Sequence, residues 1–113
     1  MVQLVLKLKV TPGKVSDVIR ALRAVALAGQ LNRGGVRAQT SCDAADPDTV
    51  HYLEEWQTPD DAAREVRSAR FGRLLELMET AVEPPELRFH FIAETRGLDY
   101  VAEVRGDLHP SAV

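Results

Sequence analysis

The chain has 113 residues, a net charge of −3 and a single cysteine. Its length fits one domain, its mixed charge offers no basic run for nucleic acid, and a lone thiol cannot form an internal disulfide. No apolar stretch approaches the roughly 18 residues of a membrane span, and the alternating start MVQLVLKLKV lacks the unbroken apolar core of a signal peptide, which together point to the cytoplasm.

Val2 to Val10 places Val2, Leu4, Leu6, Leu8 and Val10 on one face and Gln3, Val5, Lys7 and Lys9 on the other, the period-two pattern of a strand with one dry side. Thr11-Pro-Gly breaks it. From Lys14 the apolar positions Val15, Val18, Ile19, Leu22, Val25 and Ala26 recur at threes and fours, marking an amphipathic helix that ends near Gly29 or by Asn32 to Gly35. Val36 to Cys42 alternates again, and Asp43 to Asp48 is a turn-rich link. A third strand is expected over Thr49 to Gln57. Thr58-Pro59-Asp60-Asp61 then reads as a helix start, with a threonine cap, proline at the first helical position and acids in the first turn.

That helix carries Ala62, Ala63 and Val66 to about Arg67. A second helical segment, capped by Ser68, carries Phe71, Leu74, Leu75, Leu77, Met78 and Val82 until Pro84-Pro85 stops it. Leu87 to Glu94 is the fourth strand, with Leu87, Phe89, Phe91 and Ala93 on its dry face. Residues 1–96 thus read as one domain and 97–113 as a tail, in which Tyr100 to Arg105 is expected to add a short strand.

The order β-α-β-β-α-β with one apolar face per strand gives a ferredoxin-like α+β sandwich, with two helices covering one face of a four-stranded antiparallel sheet. In the expected strand order 4-1-3-2 the other face presents Val5, Leu53 and Ile92 inside a charged rim that includes Lys7, Lys9, His51, Glu55, Arg88, His90 and Glu94. A small apolar centre with such a rim suits a two-fold contact with a second copy, although antiparallel sheets also tolerate a solvated face.

The run EEWQTPDDAAREVRSARFGRLLELM, with VHYL before it and PPELRFHFIAE after it, resembles the antibiotic biosynthesis monooxygenase family over about residues 2–95. The resemblance implies a dimeric α/β barrel with a pocket in each subunit between helices and sheet. It also implies activities such as oxygenation of aromatic polyketides, quinol oxidation or oxidative haem opening, in a family where fold does not fix the reaction.

Strand parity puts Val50, Tyr52, Glu54 and Trp56 on the helix side. Trp56 would line the pocket as a flat wall for an aromatic ligand, or else pack at the strand end. Glu54 is the sharper anomaly, since a carboxylate facing an apolar layer must be paired or protonated. It is the candidate general base, with Trp56 beside it, for removing a proton from a phenol or quinol. The competing readings are a salt bridge to an arginine such as Arg64 or Arg67, or a bulge that turns Glu54 to water. Tyr52, Leu6, Leu22, Phe71, Leu75 and Phe89 would line the rest of the site.

The resemblance also carries departures. Where quinol-oxidising relatives commonly have a helix histidine, this chain has about Glu65. The haem ligand's place falls near Leu75, and the first-strand asparagine of the haem branch near Leu6, so haem degradation is not expected. His51 and His90 fall on the outer sheet face and His109 in the tail. No His/Cys/Asp cluster has metal spacing, and Cys42 reads as a small core residue. Thr11-Pro-Gly and Arg33-Gly-Gly are too short for nucleotide phosphates, so no metal, flavin or nicotinamide cofactor is expected. The leading expectation is a cofactor-independent oxygenase for an aromatic or quinol-like molecule. The rival is a non-catalytic binding or structural module of the same fold, in which Glu54 is ion-paired or solvated and Phe71 and Leu75 close the space.

Overall fold

The computed structural model describes residues 1–30 and 35–106, and the expectations placed on Asn32 to Gly34 and on His109 lie outside them. The elements are β1 (Val2–Lys9), α1 (Val15–Gln30), β2 (Gly35–Cys42), β3 (Thr49–Trp56), α2 (Pro59–Val66), α3 (Ala69–Glu79), β4 (Glu86–Phe91) and α4 (Leu98–Arg105). The strands form one four-stranded sheet in the order β2-β3-β1-β4, all neighbours antiparallel. This is the expected α+β ferredoxin-like arrangement, with β3 and β1 central and β2 and β4 at the edges. No described helix is long and apolar enough to cross a membrane.

Local chemistry sets the boundaries. Gly13 takes φ +86°, a left-handed turn that glycine enters at no steric cost, and Lys14 N–H closes the turn on Thr11 O at 3.0 Å. Thr58 Oγ1 accepts from Asp61 N–H at 3.1 Å and Ser68 Oγ from Phe71 N–H at 3.3 Å, so both expected caps form and the kink between α2 and α3 falls at Ser68. Asp43 and Asp46 build the turn before β3, each accepting from backbone N–H groups two or three residues on. Helix α3 stops at Glu79, short of the prolines. Val82 is therefore outside it, and its N–H donates to Lys9 O at 2.9 Å.

The core lies between the sheet's inner face and the helices. Val2, Leu4, Leu6 and Leu8 of β1 are 0–1% exposed and meet Leu22 and Val25 of α1 and Phe71 and Leu74 of α3. Four expectations need correcting. Leu98–Arg105 is a helix, not a short strand, with the αL residue Gly106 as its C-cap. In α2 the buried residues are Ala62 and Glu65, whereas Val66 is 41% exposed, because the helix turns Glu65 inward to a cation. Cys42 is exposed, since β2 is an edge strand with a sheet neighbour on one side only. Phe91, expected on the dry face, is 68% exposed at the end of the other edge strand.

Candidate functional site

The inner face of β3 carries Val50, Tyr52, Glu54 and Trp56, all buried, as parity requires. Pairing aligns Tyr52 with Leu6 and Leu87, Glu54 with Leu4 and Phe89, and Trp56 with Val2 and Phe91 across β1 and β4. A carboxylate therefore sits in the middle of an apolar row.

Its partner is Arg70. Arg70 Nη1–H donates to Glu54 Oε1 at 2.5 Å, while Nη2–H and Nε–H donate to Glu65 Oε2 at 3.0 and 3.1 Å. Nη1–H also reaches Val25 O at 3.3 Å near the end of α1, and the Tyr52 hydroxyl donates to Glu54 Oε1 at 2.9 Å. Two carboxylates and one guanidinium thus share a site where Glu54, Glu65 and Arg70 are 4%, 3% and 6% exposed. Among the described residues no buried side-chain polar atom lacks a partner, which is the condition for tolerating such burial. Gly29 makes room for the cation: a Cβ there would lie 2.8 Å from Arg70 Cζ.

The network displaces ordinary proton affinities. Burial, then the charge of Glu54 and its hydrogen bond, pushes the Tyr52 phenol far above its usual range. Burial pulls the Arg70 guanidinium down, but the hydrogen bonds and charges of Glu54 and then Glu65 outweigh it and leave it raised.

Beside this network stands an aromatic group. The Trp56 and Phe89 rings stack with centroids 6.5 Å apart and 20° between planes, and Phe71 lies 6.4 Å from Phe89. Trp56 and Phe71 are closed to solvent, whereas Phe89 is half-buried. Met78 of α3 and Leu87 and Phe89 of β4 are partly buried against the same core. The described hollows of about 370 Å³ between α1 and α3 and about 170 Å³ on the outer sheet face reach neither Trp56 nor Glu54.

Of the residues singled out from sequence, Trp56, Tyr52, Leu6, Leu22 and Phe71 share the core with Phe89 packed against it, and Glu54 is buried there on the Tyr52 hydroxyl. Leu75 does not close the space: it is 44% exposed on the flank of α3. The arginine expected for Glu54 was Arg64 or Arg67. Arg64 instead pairs with Asp61 of its own helix at 3.1 Å, and Arg67 is exposed at the C-cap of α2. Arg70 and Glu65 were missed, although the spacing Arg70-Leu74-Leu77 sets Arg70 on the core stripe of α3. Glu65 stands near the place where the resemblance puts a histidine.

On the outer face, His51 Nε2 lies 2.8 Å from Asp43 Oδ1, and that hydrogen bond is the main cause holding the Asp43 carboxyl below its usual range. Among the described residues no three His, Cys, Asp or Glu side chains converge as metal ligands would.

Residues 1–77 match the family profile described as antibiotic biosynthesis monooxygenase. No functionally curated protein matches. Among solved structures, a candidate antibiotic biosynthesis monooxygenase from Deinococcus radiodurans superposes with TM-score 0.75 at 15% identity, covering 86% of this chain and 97% of that one. A candidate antibiotic biosynthesis monooxygenase from Nitrosomonas europaea gives TM-score 0.71 at 19% identity, covering 83% and 100%. The Rv0793 protein of Mycobacterium tuberculosis gives 0.72 at 11% identity, covering 85% and 98%. At these identities the likeness is one of fold.

Proposed function

The chain belongs to the antibiotic biosynthesis monooxygenase family, and from that membership we infer that it is a cofactor-independent oxygenase of an aromatic or quinol-like small molecule. The observation that supports this reading most is the aromatic group Trp56, Phe89 and Phe71, set against a buried hydroxyl–carboxylate–guanidinium chain, with Phe89 half-buried on the edge strand β4. A flat molecule enters over Phe89 and packs against aromatic faces, which gives stacking at little entropic cost.

Oxygenation without a cofactor requires the substrate to become its own electron donor, so a proton must leave first. Glu54 is the acceptor in this reading, with Arg70 balancing its charge and Tyr52 ready to relay, because its hydroxyl hydrogen already points at Glu54 Oε1. The deprotonated substrate passes an electron to dioxygen. For an anthrone-type carbon, one oxygen atom then ends in the new carbonyl and the other leaves as water with the two displaced hydrogens. The protein's part is a base, a flat wall and exclusion of bulk water.

The same reading takes the protein as a homodimer through the outer sheet face, where Val5, Leu53 and Ile92 are half-buried within the charged rim. A subunit of this size buries only about two thirds of its unfolded surface, so a second copy adds useful core. One observation favours a non-catalytic binding module instead: Glu54 is 4% exposed and already engaged by Tyr52 and Arg70.

Oxygen uptake with reduced quinols and anthrones, corrected for spontaneous oxidation, separates the two. The oxygenase gives saturable uptake that falls about 10²- to 10⁴-fold in Glu54→Gln and rises in KM in Trp56→Phe, both variants first shown to be folded. Saturable quenching of Trp56 fluorescence by the same molecules, with no uptake above background, would establish the binding module.

A further inference from the structure

The outer face of the sheet divides into a satisfied part and an unsatisfied one. Near the end of β3, Gln3, Glu55 and Arg37 stand side by side across β1, β3 and β2. They close on one another: Gln3 Nε2–H donates to Glu55 Oε2 at 3.1 Å, and Arg37 Nε–H to Glu55 Oε1 at 2.9 Å. Two further outer-face rows run from β2 through β3 and β1 to β4. One is Gln39, Leu53, Val5 and Arg88, and the other Ser41, His51, Lys7 and Glu86. Among the described residues, the side chains of Gln39, Arg88, Ser41, Lys7 and Glu86 have neither hydrogen bond nor ion pair.

These rows border a hollow of about 170 Å³ lined by Val5, Gln39, Ser41, His51, Tyr52 and Leu53. Val5 and Leu53, both half-buried, make its apolar floor. Directly opposed side chains leave an antiparallel pair about 5 Å apart, so Ser41, His51 and Lys7 lie within reach of one small molecule. Asp43 offers no free oxygen to it. Its Oδ2 accepts from the N–H groups of Ala45 and Asp46, both at 3.0 Å, and its Oδ1 lies 2.8 Å from His51 Nε2. An ionised carboxylate only accepts, so Nε2 carries the hydrogen and Nδ1 is left without a partner among the described residues.

We propose that this hollow binds a small monocarboxylate with an apolar body, its carboxylate on Lys7, Ser41 and His51 and its body over Val5 and Leu53. The unpaired groups at the hollow, Lys7, Ser41 and Gln39, all donate, and the free acid of the same row, Glu86, stands on the far side of Lys7. Such an excess of donors beside a cation suits an anionic oxygen, and the floor favours an acid carrying hydrocarbon over a bare inorganic anion. The volume fits one ring or a short chain, since pockets for drug-sized ligands start at about 300 Å³. Binding is linked to a proton. His51 faces Asp43, Ser41 and Lys7, and while neutral it has only a lone pair left for the acid. Once protonated it donates to two carboxylates, that of Asp43 and that of the ligand. Affinity therefore rises as pH falls from about 8 to about 6, where histidine ordinarily takes its proton. The site lies across the sheet from Glu54 and Trp56 and does not rest on the oxygenase reading. It shares Val5 and Leu53 with the two-fold contact proposed above, so in that dimer the acid lies between the copies.

The test is a titration of the full chain with benzoate, followed by backbone-amide NMR spectra. The expected result is saturable shifts around Gln39, Ser41, His51 and Leu53, with affinity about tenfold higher at about pH 6 than at about pH 8. Lys7→Met should weaken binding at least about tenfold, and His51→Gln should remove the pH dependence. Lys7 is exposed and His51 half-buried, and the amide spectrum itself reports whether each variant keeps the parent fold. Shifts that do not saturate, equal affinity for inorganic phosphate, unchanged affinity in Lys7→Met, or a pH dependence that survives His51→Gln would each overturn the proposal. So would shifts centred on Trp56 and Phe89, which would place the acid on the helix side of the sheet instead.

Discussion

Strands β3 and β4 both pair with β1, both alternate, and end in opposite circumstances. The inner positions of β3 include a glutamate that is 4% exposed, whereas the inner face of β4 ends in a phenylalanine that is 68% exposed. Hydropathy alone would order them the other way. The difference is position: β3 is central and lies under helices that supply Arg70 and Glu65, whereas β4 is an edge strand whose inner face no described helix fully covers. A charge is tolerated where fixed partners can be delivered to it, and an apolar ring stays exposed where nothing is delivered. The chain thus keeps a buried, hydrogen-bonded half beside a more exposed one.

Arg70→Met gives the largest effect. It strands two carboxylates in the core and should lower unfolding stability by about 3–5 kcal/mol in chemical denaturation. A loss below about 1 kcal/mol would mean that the triad is hydrated and the contrast with β4 false.

The alkaline limb comes next. Because the folded Tyr52 phenol sits above its ordinary value of 10.0, the folded state keeps a proton that the unfolded chain loses. Its stabilisation is complete below pH 10 and declines as pH rises from there toward the folded value, at about 1.4 kcal/mol per pH unit. Denaturation at pH values above about 10 should show that slope, and Tyr52→Phe should remove this contribution. An unchanged slope in the variant would assign the loss to other groups.

The smallest effect belongs to β4. Phe91→Ser should change the stability of the subunit, measured at dilution, by no more than about 0.5 kcal/mol. A cost near that of a core phenylalanine, about 3–5 kcal/mol, would show that β4 is as packed as β3.

Much of this was legible in the residues themselves. The period of two in VQLVLKLK and TVHYLEEW, the threes and fours of α1, and the caps Thr58 and Ser68 are local signals, and local sterics and hydrogen bonding decide them. From those elements the strand order and the helix-facing side of Glu54 and Trp56 followed. The register beside Phe89 did not follow, nor did the choice of Arg70 over Arg64 or Arg67. An ion pair between a strand and a helix depends on which turn of the helix is brought down onto the sheet, and residues 16 positions apart carry no mark of that. Leu75, Cys42 and Phe91 failed for the same reason. Their faces were read correctly as apolar by pattern, but edge strands and helix flanks have faces that the fold leaves uncovered. The sequence by itself thus determined the elements, their order and the inner face of the sheet, because those rest on neighbours within a few positions. Only the tertiary structure decided which charge meets which and where the core stops, because both depend on how far each helix extends over the sheet.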